Sequence, residues 1–306
     1  MRQRIIWHMM PAETERLVRK AADFKVDAVI PCLEDGTAYR PEAKRAARES
    51  LAHICREIDW AARGIDFYPR INRSNSPYWH EDVKVLVEAR VAGLIIAKED
   101  SPDRARDVCQ LISHEEERHG IPAGSIRVTV MLETALGLTR CYDLANADPR
   151  IEAVMLGRED MSRDLGIFRK YKELLESGNV ELLYARSKVV ADCRAAGKMA
   201  LDGAPLTFTD ADYMARDCSL AARLGFAGKL SAHPKHIDAI RAGFTPDPED
   251  IEIARQMVDG AKAMEEAGQA PVLAVAGFEV TPSVVPQAQL VLDRAEWAGV
   301  GTRATV

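Results

Sequence analysis

The stretch RVTVMLETALGLTRCYDLANADPRIEAVMLGRED (127–160) reads as a strand, a helix and a second strand. Its two ends, RVTVMLET (127–134) and EAVMLGRED (152–160), are short runs rich in Val, Met and Leu. That is the composition of strands covered on both faces. Between them, residues 137–146 mix apolar and polar side chains as a helix lying on a sheet does. A strand, a crossover helix and a parallel strand form the right-handed βαβ unit.

The alternation continues in both directions. Further apolar runs are RIIWHM (4–9), DAVIPCLED (27–35), DFYPRIN (66–72), GLIIAKE (93–99), KMALDG (198–203) and GKLSAHP (228–234). Amphipathic stretches separate them at 12–23, 41–59, 79–90, 102–119, 181–196 and 210–224. In 102–119, Val108, Leu111 and Ile112 stand at i, i+3 and i+4 among charged residues. Eight strand–helix units predict an α/β protein, a closed TIM (β/α)8 barrel, over residues 1–242. MSRDLGIFRKYKELLESGNV (161–180) is too long for a plain connection and is expected to loop over the barrel mouth.

The pattern changes over 243–306. Asp247 and Pro248 are the N-cap and first-turn signals of one helix, and another is expected near 284–298. This stretch is too short for a full domain. It reads as a C-terminal helical extension, expected to pack on a neighbouring subunit and complete its site.

Composition narrows the function classes. With 47% hydrophobic and 29% charged residues the chain is neither disordered nor low in complexity. A net charge of −6 without a basic block argues against nucleic acid and anionic membranes as partners. No apolar run approaches a membrane span, and MRQRIIWHMMPAE (1–13) lacks a signal-peptide core. Six scattered cysteines without a C-x-x-C read as reduced thiols, so a cytoplasmic protein is expected.

A parallel barrel carries its chemistry at the C-terminal ends of its strands. The polar residues closing the runs are Glu34 and Asp35, Arg70 and Asn72, Lys98 and Glu99, Glu133 and Thr134, Glu159 and Asp160, Asp202, and His233. Strand ends enter polar loops in any protein, so each residue alone is weak. As a set, alternating acids and bases on one face form a candidate site. Glu133 and one of Glu159/Asp160 end adjacent strands, close enough to share a cation. Two carboxylates without Cys or His suit a hard ion, Mg²⁺ with Mn²⁺ as a substitute. Arg70 presents a fork for a carboxylate or carbonyl oxygen. A metal and an arginine beside a carbonyl can stabilise an enolate.

Other motifs fail on spacing. HEEERH (114–119) separates its histidines by five residues and reads as a solvated helix face. LGFAGKLS (224–231) has Arg223 where a P-loop needs Gly. G-x-G-x-x-G and G-x-S-x-G are absent from the sequence. Asn72-Arg73-Ser74 is a formal glycosylation sequon without meaning in a cytosolic chain. His233 and His236 flank Pro234 and read as lining the barrel mouth rather than as a zinc pair.

Several segments resemble, in order, the citrate lyase β-subunit-like (CitE-like) proteins of the HpcH/HpaI aldolase and malyl-CoA lyase superfamily, over about residues 8–300. They are VDAVIPCLEDGTAYRPEAKRAAR (26–48), YPRIN (68–72), LETALGL (132–138), EAVMLGREDMSRDLG (152–166), ALDG (200–203) and LGFAGKLSAHPKHIDAIRAGFTPDPEDIEIA (224–254). The resemblance implies a TIM barrel with Mg²⁺ on Glu133 and Asp160, and Arg70 on the oxygen at the cleaved bond. It implies that Glu34 and Asp35 hold metal-bound waters. Asn72, Lys98, Thr134, Asp202 and His233 are the candidate substrate contacts. The implied activity is a carbon–carbon lyase of aldol or Claisen type acting on a 3-hydroxyacyl-CoA or related hydroxy acid, as a homotrimer or homohexamer.

Two departures stand out. Cys32 replaces the first Asp of the family's D-L-E-D. Thr281 in Gly277-Phe278-Glu279-Val280-Thr281 replaces the tail Asp that serves as acid/base in malyl-CoA lyases. Thr does not exchange a proton near neutral pH, and Glu279 is the candidate substitute. The alternatives are an aldolase working on a free 2-oxo or hydroxy acid without CoA, or a non-catalytic binding protein. A CoA 3′-phosphate would need a basic groove, for which Lys44, Arg45 and Arg48 are candidates. A solvated helix face is the competing reading of those three.

Overall fold

The structure, a computed structural model, describes residues 3–168, 171–177 and 179–300. It divides into two compact units, Met1–Ile240 and a second beginning at Arg241.

The first unit is a closed parallel barrel. Its strands are β1 (Ile6–Pro11), β2 (Ala28–Cys32), β3 (Asp66–Phe67), β4 (Arg70–Ile71), β5 (Gly93–Ile96), β6 (Arg127–Leu132), β7 (Ile151–Leu156), β8 (Met199–Asp202) and β9 (Gly228–Ser231). β3 and β4 are one stave interrupted at Tyr68-Pro69, because Pro69 has no N–H to donate to a ladder. Eight staves therefore close the barrel: β1 pairs with β9 through Ile6↔Lys229 and with β2 through Trp7↔Ala28. The (β/α)8 expectation holds.

Helices follow the strands: α1 (Glu15–Lys20), α2 (Pro41–Glu57), α3 (Trp79–Glu88), α4 (Pro102–Arg118), α5 (Ala135–Thr139), α6 (Cys141–Ala145), α7 (Arg158–Asp164), α8 (Tyr171–Ser177), α9 (Leu183–Ala195), α10 (Ala211–Leu224) and α11 (Pro234–Phe244). Among the described residues no helix is long and apolar enough to cross a membrane.

The barrel interior holds Trp7, Ala28, Ile30, Tyr68, Ile95, Met131, Met155, Leu201 and Leu230. Gly93 makes room for the buried Tyr68 ring. A β-carbon there would fall 2.2 Å from the Tyr68 ring. The Tyr68 hydroxyl accepts from Arg4 at 2.6 Å and donates to Glu152 at 2.6 Å, so its polar tip is satisfied.

Two local expectations change. The 161–180 stretch is largely helical, in the rest of α7 and in α8, while 169–170 and 178 lie outside the described residues. HEEERH is not a solvated face, because Glu115 and Glu116 are buried. Glu116 accepts from both Arg150 terminal nitrogens at 2.8 Å and from the amides of Gly124 and Ile126 at 2.9 Å. Period-3.6 counting scores Glu as polar and cannot see a buried arginine arriving from another loop.

The second unit holds α12 (Pro248–Glu266), β10 (Leu273–Val275), β11 (Phe278–Val280) and α13 (Val285–Ala298). Asp247 precedes α12 at the N-cap position and Pro248 opens the helix, as expected. The β10–β11 hairpin is new relative to the helical extension read from the sequence. Its two-residue turn, Ala276-Gly277, has φ of 51° and 83°, the positive pair that a tight hairpin requires. Ala254, Met257, Val275, Val280 and Ala288 form this unit's core.

Candidate active site

Cys32, Glu34, Asp35, Arg70, Lys98, Glu133 and Asp160 converge at the C-terminal mouth of the barrel. Cys32 and Arg70 are register partners on β2 and β4, which places the Arg70 guanidinium against the residues that follow β2. Its Nε and Nη2 lie 3.1 and 3.0 Å from Cys32 Sγ. Its fork also meets Glu34 at 3.1 Å, Asp35 at 3.7 Å and Glu133 at 3.4 Å. Lys98, just past β5, brings its ammonium to Glu34 at 3.0 Å, Asp35 at 2.5 Å and Asp160 at 3.3 Å. Its amide donates to Glu133 Oε2 at 3.2 Å. Asp160 sits in the first turn of α7, and Arg163 one turn on holds its other oxygen at 2.5 Å.

Two glycines clear the space. A β-carbon on Gly157 would fall 2.3 Å from Glu133 Cγ, and one on Gly203 would fall 2.6 Å from Arg158 Cγ.

The electrostatics divide the acids. Burial raises the Glu133 carboxyl to about 7; Arg70 and Lys98 oppose the rise, and the negative Asp160 adds to it. Burial also works to raise Asp35, but the Glu34 contact and the Lys98 ammonium pull it down to about 2. The Lys98 ammonium is disfavoured by burial, yet its bonds with Asp35 and Glu34 raise its pKa above the ordinary value.

A cavity of about 460 Å³ opens onto this group. Arg70, Asp35, Glu133 and Asp160 line one side. Met9, Leu206, Phe208, Leu230, His233 and His236 line the rest. Phe208 and His233 stack at 4.2 Å between ring centres.

The other expected residues are placed differently. Asn72 is buried, bonded through its amide N–H and side chain to Asp82 Oδ2 at 2.9 and 2.7 Å. Thr134 caps α5 by accepting from the Gly137 amide at 3.0 Å. Asp202 does not reach the cavity. Leu201 points into the barrel, so the next residue on the strand points outward. There Asp202 joins a buried cluster with Lys229, Arg186 at 2.8 Å and Arg158 at 3.8 Å. Asp217 completes it, bonded by both carboxylate oxygens to Arg158 at 2.9 and 2.8 Å. Glu279 is exposed on β11 of the second unit. The basic groove expected on α2 is not built. Lys44 is buried and donates to the carbonyls of Leu33 and Glu34 at 2.5 and 2.7 Å. Arg48 is buried against Asp82 at 2.8 Å, leaving Arg45 exposed.

Sequence reasoning missed Cys32 as a partner of Arg70, and Gly157, Arg158 and Asp217 as supports of the acids. Of these only the Gly-Arg step directly after an apolar run carried a signal.

The donor set fits a magnesium ion. Its members are all hard oxygen donors, and Glu133 and Asp160 face the cavity. Glu34, Asp35, Glu133 and Asp160 crowd four carboxylates around two buried cations, Arg70 and Lys98, while Arg73 and Arg163 reach Glu34 and Asp160 from more exposed positions. A divalent cation between Glu133 and Asp160 would relieve the buried Glu133, whose ionised form is penalised by burial and by the negative Asp160. Among the described residues no three of His, Cys, Asp and Glu form a closed metal cage. Two carboxylates would leave most of an octahedral shell to water and substrate oxygens.

Residues 5–234 match the family model for HpcH/HpaI aldolase/citrate lyase. Citrate lyase subunit beta of Leuconostoc mesenteroides subsp. cremoris is 28% identical over 94% of this chain and 91% of that protein. Mouse mitochondrial citramalyl-CoA lyase is 28% identical over 85% of this chain and 77% of its own length. Among solved structures, the CitE protein of Mycobacterium tuberculosis in complex with magnesium, acetoacetate and coenzyme A superposes with a TM-score of 0.74. It shares 25% identity and covers 96% of this chain and 98% of its own.

Proposed function

This chain belongs to the HpcH/HpaI aldolase/citrate lyase family, and from that premise we propose that it is a magnesium-dependent carbon–carbon lyase acting on a 3-hydroxyacyl-CoA or a related hydroxy acid. The observation that carries the reading is the convergence of Arg70, Glu133 and Asp160 on one cavity at the strand ends.

Cleavage breaks the bond between the carbinol carbon and the carbon beside the carbonyl. The hydroxyl proton leaves to a base, and the carbinol becomes a carbonyl. The electron pair of the broken bond passes to the other fragment as an enolate, which takes a proton on carbon. Magnesium held by Glu133 and Asp160 would supply Lewis-acid stabilisation for the oxygen that gains charge. The Arg70 guanidinium binds that same region of negative charge; burial disfavours its charge, but Cys32, Glu133 and Glu34 around it outweigh that and keep it protonated. Lys98 and Arg70 together hold Glu34 and Asp35, where they can receive metal-bound water.

The proton acceptor in this reading is Glu279, contributed by the tail of a neighbouring subunit in a cytoplasmic homotrimer or homohexamer. The Thr281 hydroxyl bonds to Ser283 at 2.8 Å and is not an acid/base. Asn72 and Thr134 brace the segments that follow β4 and β6, Asp202 ties β8 to β9 and α9 away from the cavity, and His233 lines the substrate pocket.

The test is turnover of a panel of 3-hydroxyacyl-CoA thioesters and free hydroxy acids with Mg²⁺, using wild type, Glu133→Gln and Asp160→Asn. Turnover that disappears in EDTA and in both variants, while their circular dichroism stays native, supports the reading. Turnover that survives EDTA or either substitution would sink it. Calorimetry with acetyl-CoA separates the thioester from the free acid, since no heat at millimolar ligand excludes CoA.

A further inference from the structure

Lys98 has a backbone conformation that its side chain does not favour. Its φ is +50°, in the left-handed region that L-residues seldom occupy outside glycine-rich turns. Such outliers persist where their surroundings enforce them, and they concentrate at functional sites. Here the left-handed turn aims both polar groups of one residue at the candidate metal pair. The Lys98 amide donates to Glu133 at 3.2 Å, and the ammonium lies 3.3 Å from Asp160. The same ammonium holds Glu34 at 3.0 Å and Asp35 at 2.5 Å, and its side chain is 4% exposed. No other residue described here touches all four acids.

We propose that Lys98 is the internal counter-cation of this site. With Arg163 on the other oxygen, it neutralises Asp160 while the metal is absent, and it gives Asp160 up when Mg²⁺ binds, remaining on Glu34 and Asp35. Three acids already surround the ammonium, so losing one leaves it paired and costs little. Asp160, with Glu133, is the ligand it frees. This assigns Lys98 a positioning role in place of the substrate contact expected from its strand-end location. It rests on the magnesium reading above.

The counter-cation competes with the metal for one carboxylate, so removing it must tighten metal binding and weaken the metal-free protein. The experiment is calorimetric titration of Mg²⁺ into the full chain, stripped with EDTA and dialysed, without substrate. Lys98→Met and Lys98→Gln are compared with wild type, and Lys98→Arg retains the charge. The expected result is a Kd for Mg²⁺ roughly tenfold lower in Met and Gln, equivalent to about 1.4 kcal/mol. The metal-free Tm should fall in both, with Mg²⁺ restoring more of it than in wild type. Lys98→Arg should stay within about twofold of wild type. Unchanged or weaker Mg²⁺ binding in both neutral variants overturns the proposal, as does a rise in substrate KM with metal binding untouched. A wild-type chain that takes up no Mg²⁺ overturns the magnesium reading and this inference together; binding in wild type with no response at Lys98 overturns this inference alone.

Discussion

A β-carbon on Gly157 would sit 2.6 Å from Oε1 of Glu133, inside any permissible contact. The two residues share one volume, and glycine yields it to the carboxylate. Gly157 has φ −86° and ψ 89°, so alanine carries no left-handed penalty there. Gly157→Ala should therefore leave the barrel folded but displace Glu133. We expect Mg²⁺ affinity to fall at least tenfold and turnover about a hundredfold, with Tm little changed. Calorimetry, turnover and thermal unfolding of one preparation check all three. Full activity in the alanine variant would show that Glu133 does not need that space.

Arg158 begins the helix that carries Asp160, and Asp217 on α10 grips it with both oxygens. The pair is fully buried, so removing one partner leaves a charge without water. Asp217→Asn and Arg158→Met should each destabilise by about 3–5 kcal/mol in urea unfolding. The double variant should lose less than the sum, because the two residues share one buried charge network with Lys229, Arg186 and Asp202. Additive losses would mean that the two residues act separately.

His8 on β1 bonds to Ser231 on β9 at 2.9 Å, and His236 lies nearby on α11. Burial lowers both from 6.5 to about 4, and like charge among the histidines adds to the effect. Below pH 6.5 the unfolded chain takes up protons that the folded chain refuses. Stability is therefore complete above 6.5, is lost as pH falls towards 4, and loses no more from these groups below that. Linkage puts the loss at up to about 3 kcal/mol per histidine. Urea midpoints at pH 7.5 and 4.5 measure it, and His8→Gln should flatten the slope. An unchanged slope in that variant removes His8 as the cause.

Glu279→Gln isolates the tail. If the carboxylate transfers the proton, turnover should fall by about 10²–10⁴-fold while Mg²⁺ affinity and Tm stay at wild-type values. Full turnover in the glutamine variant would mean that the base lies elsewhere, among the barrel's own acids.

Several of these groups were legible before any coordinates. Arg70, Glu133 and Asp160 each follow or close an apolar run, and parallel strands deliver such residues to one face whatever the loops do. Glu159 against Asp160 was not decidable from alternation, because the chain has already entered α7 at Arg158 and the two-residue period no longer applies. Asp202 misled for the opposite reason. It is still within β8, where its parity turns it away from the barrel axis and into the cluster with Lys229 and Arg186. Lys44 and Arg48 looked like surface charges on an amphipathic helix, but a buried carbonyl pair and a buried Asp82 claim them.

By itself the sequence determined the number of staves, the helical layer and the acids offered at the mouth. Those depend on period and on strand polarity, which are local. Tertiary structure alone decided which acids share cations, which face outward, and that Lys98 reaches four of them. Those depend on residues far apart in the chain meeting in a low-dielectric space, where a few ångströms decide whether a charge is paired.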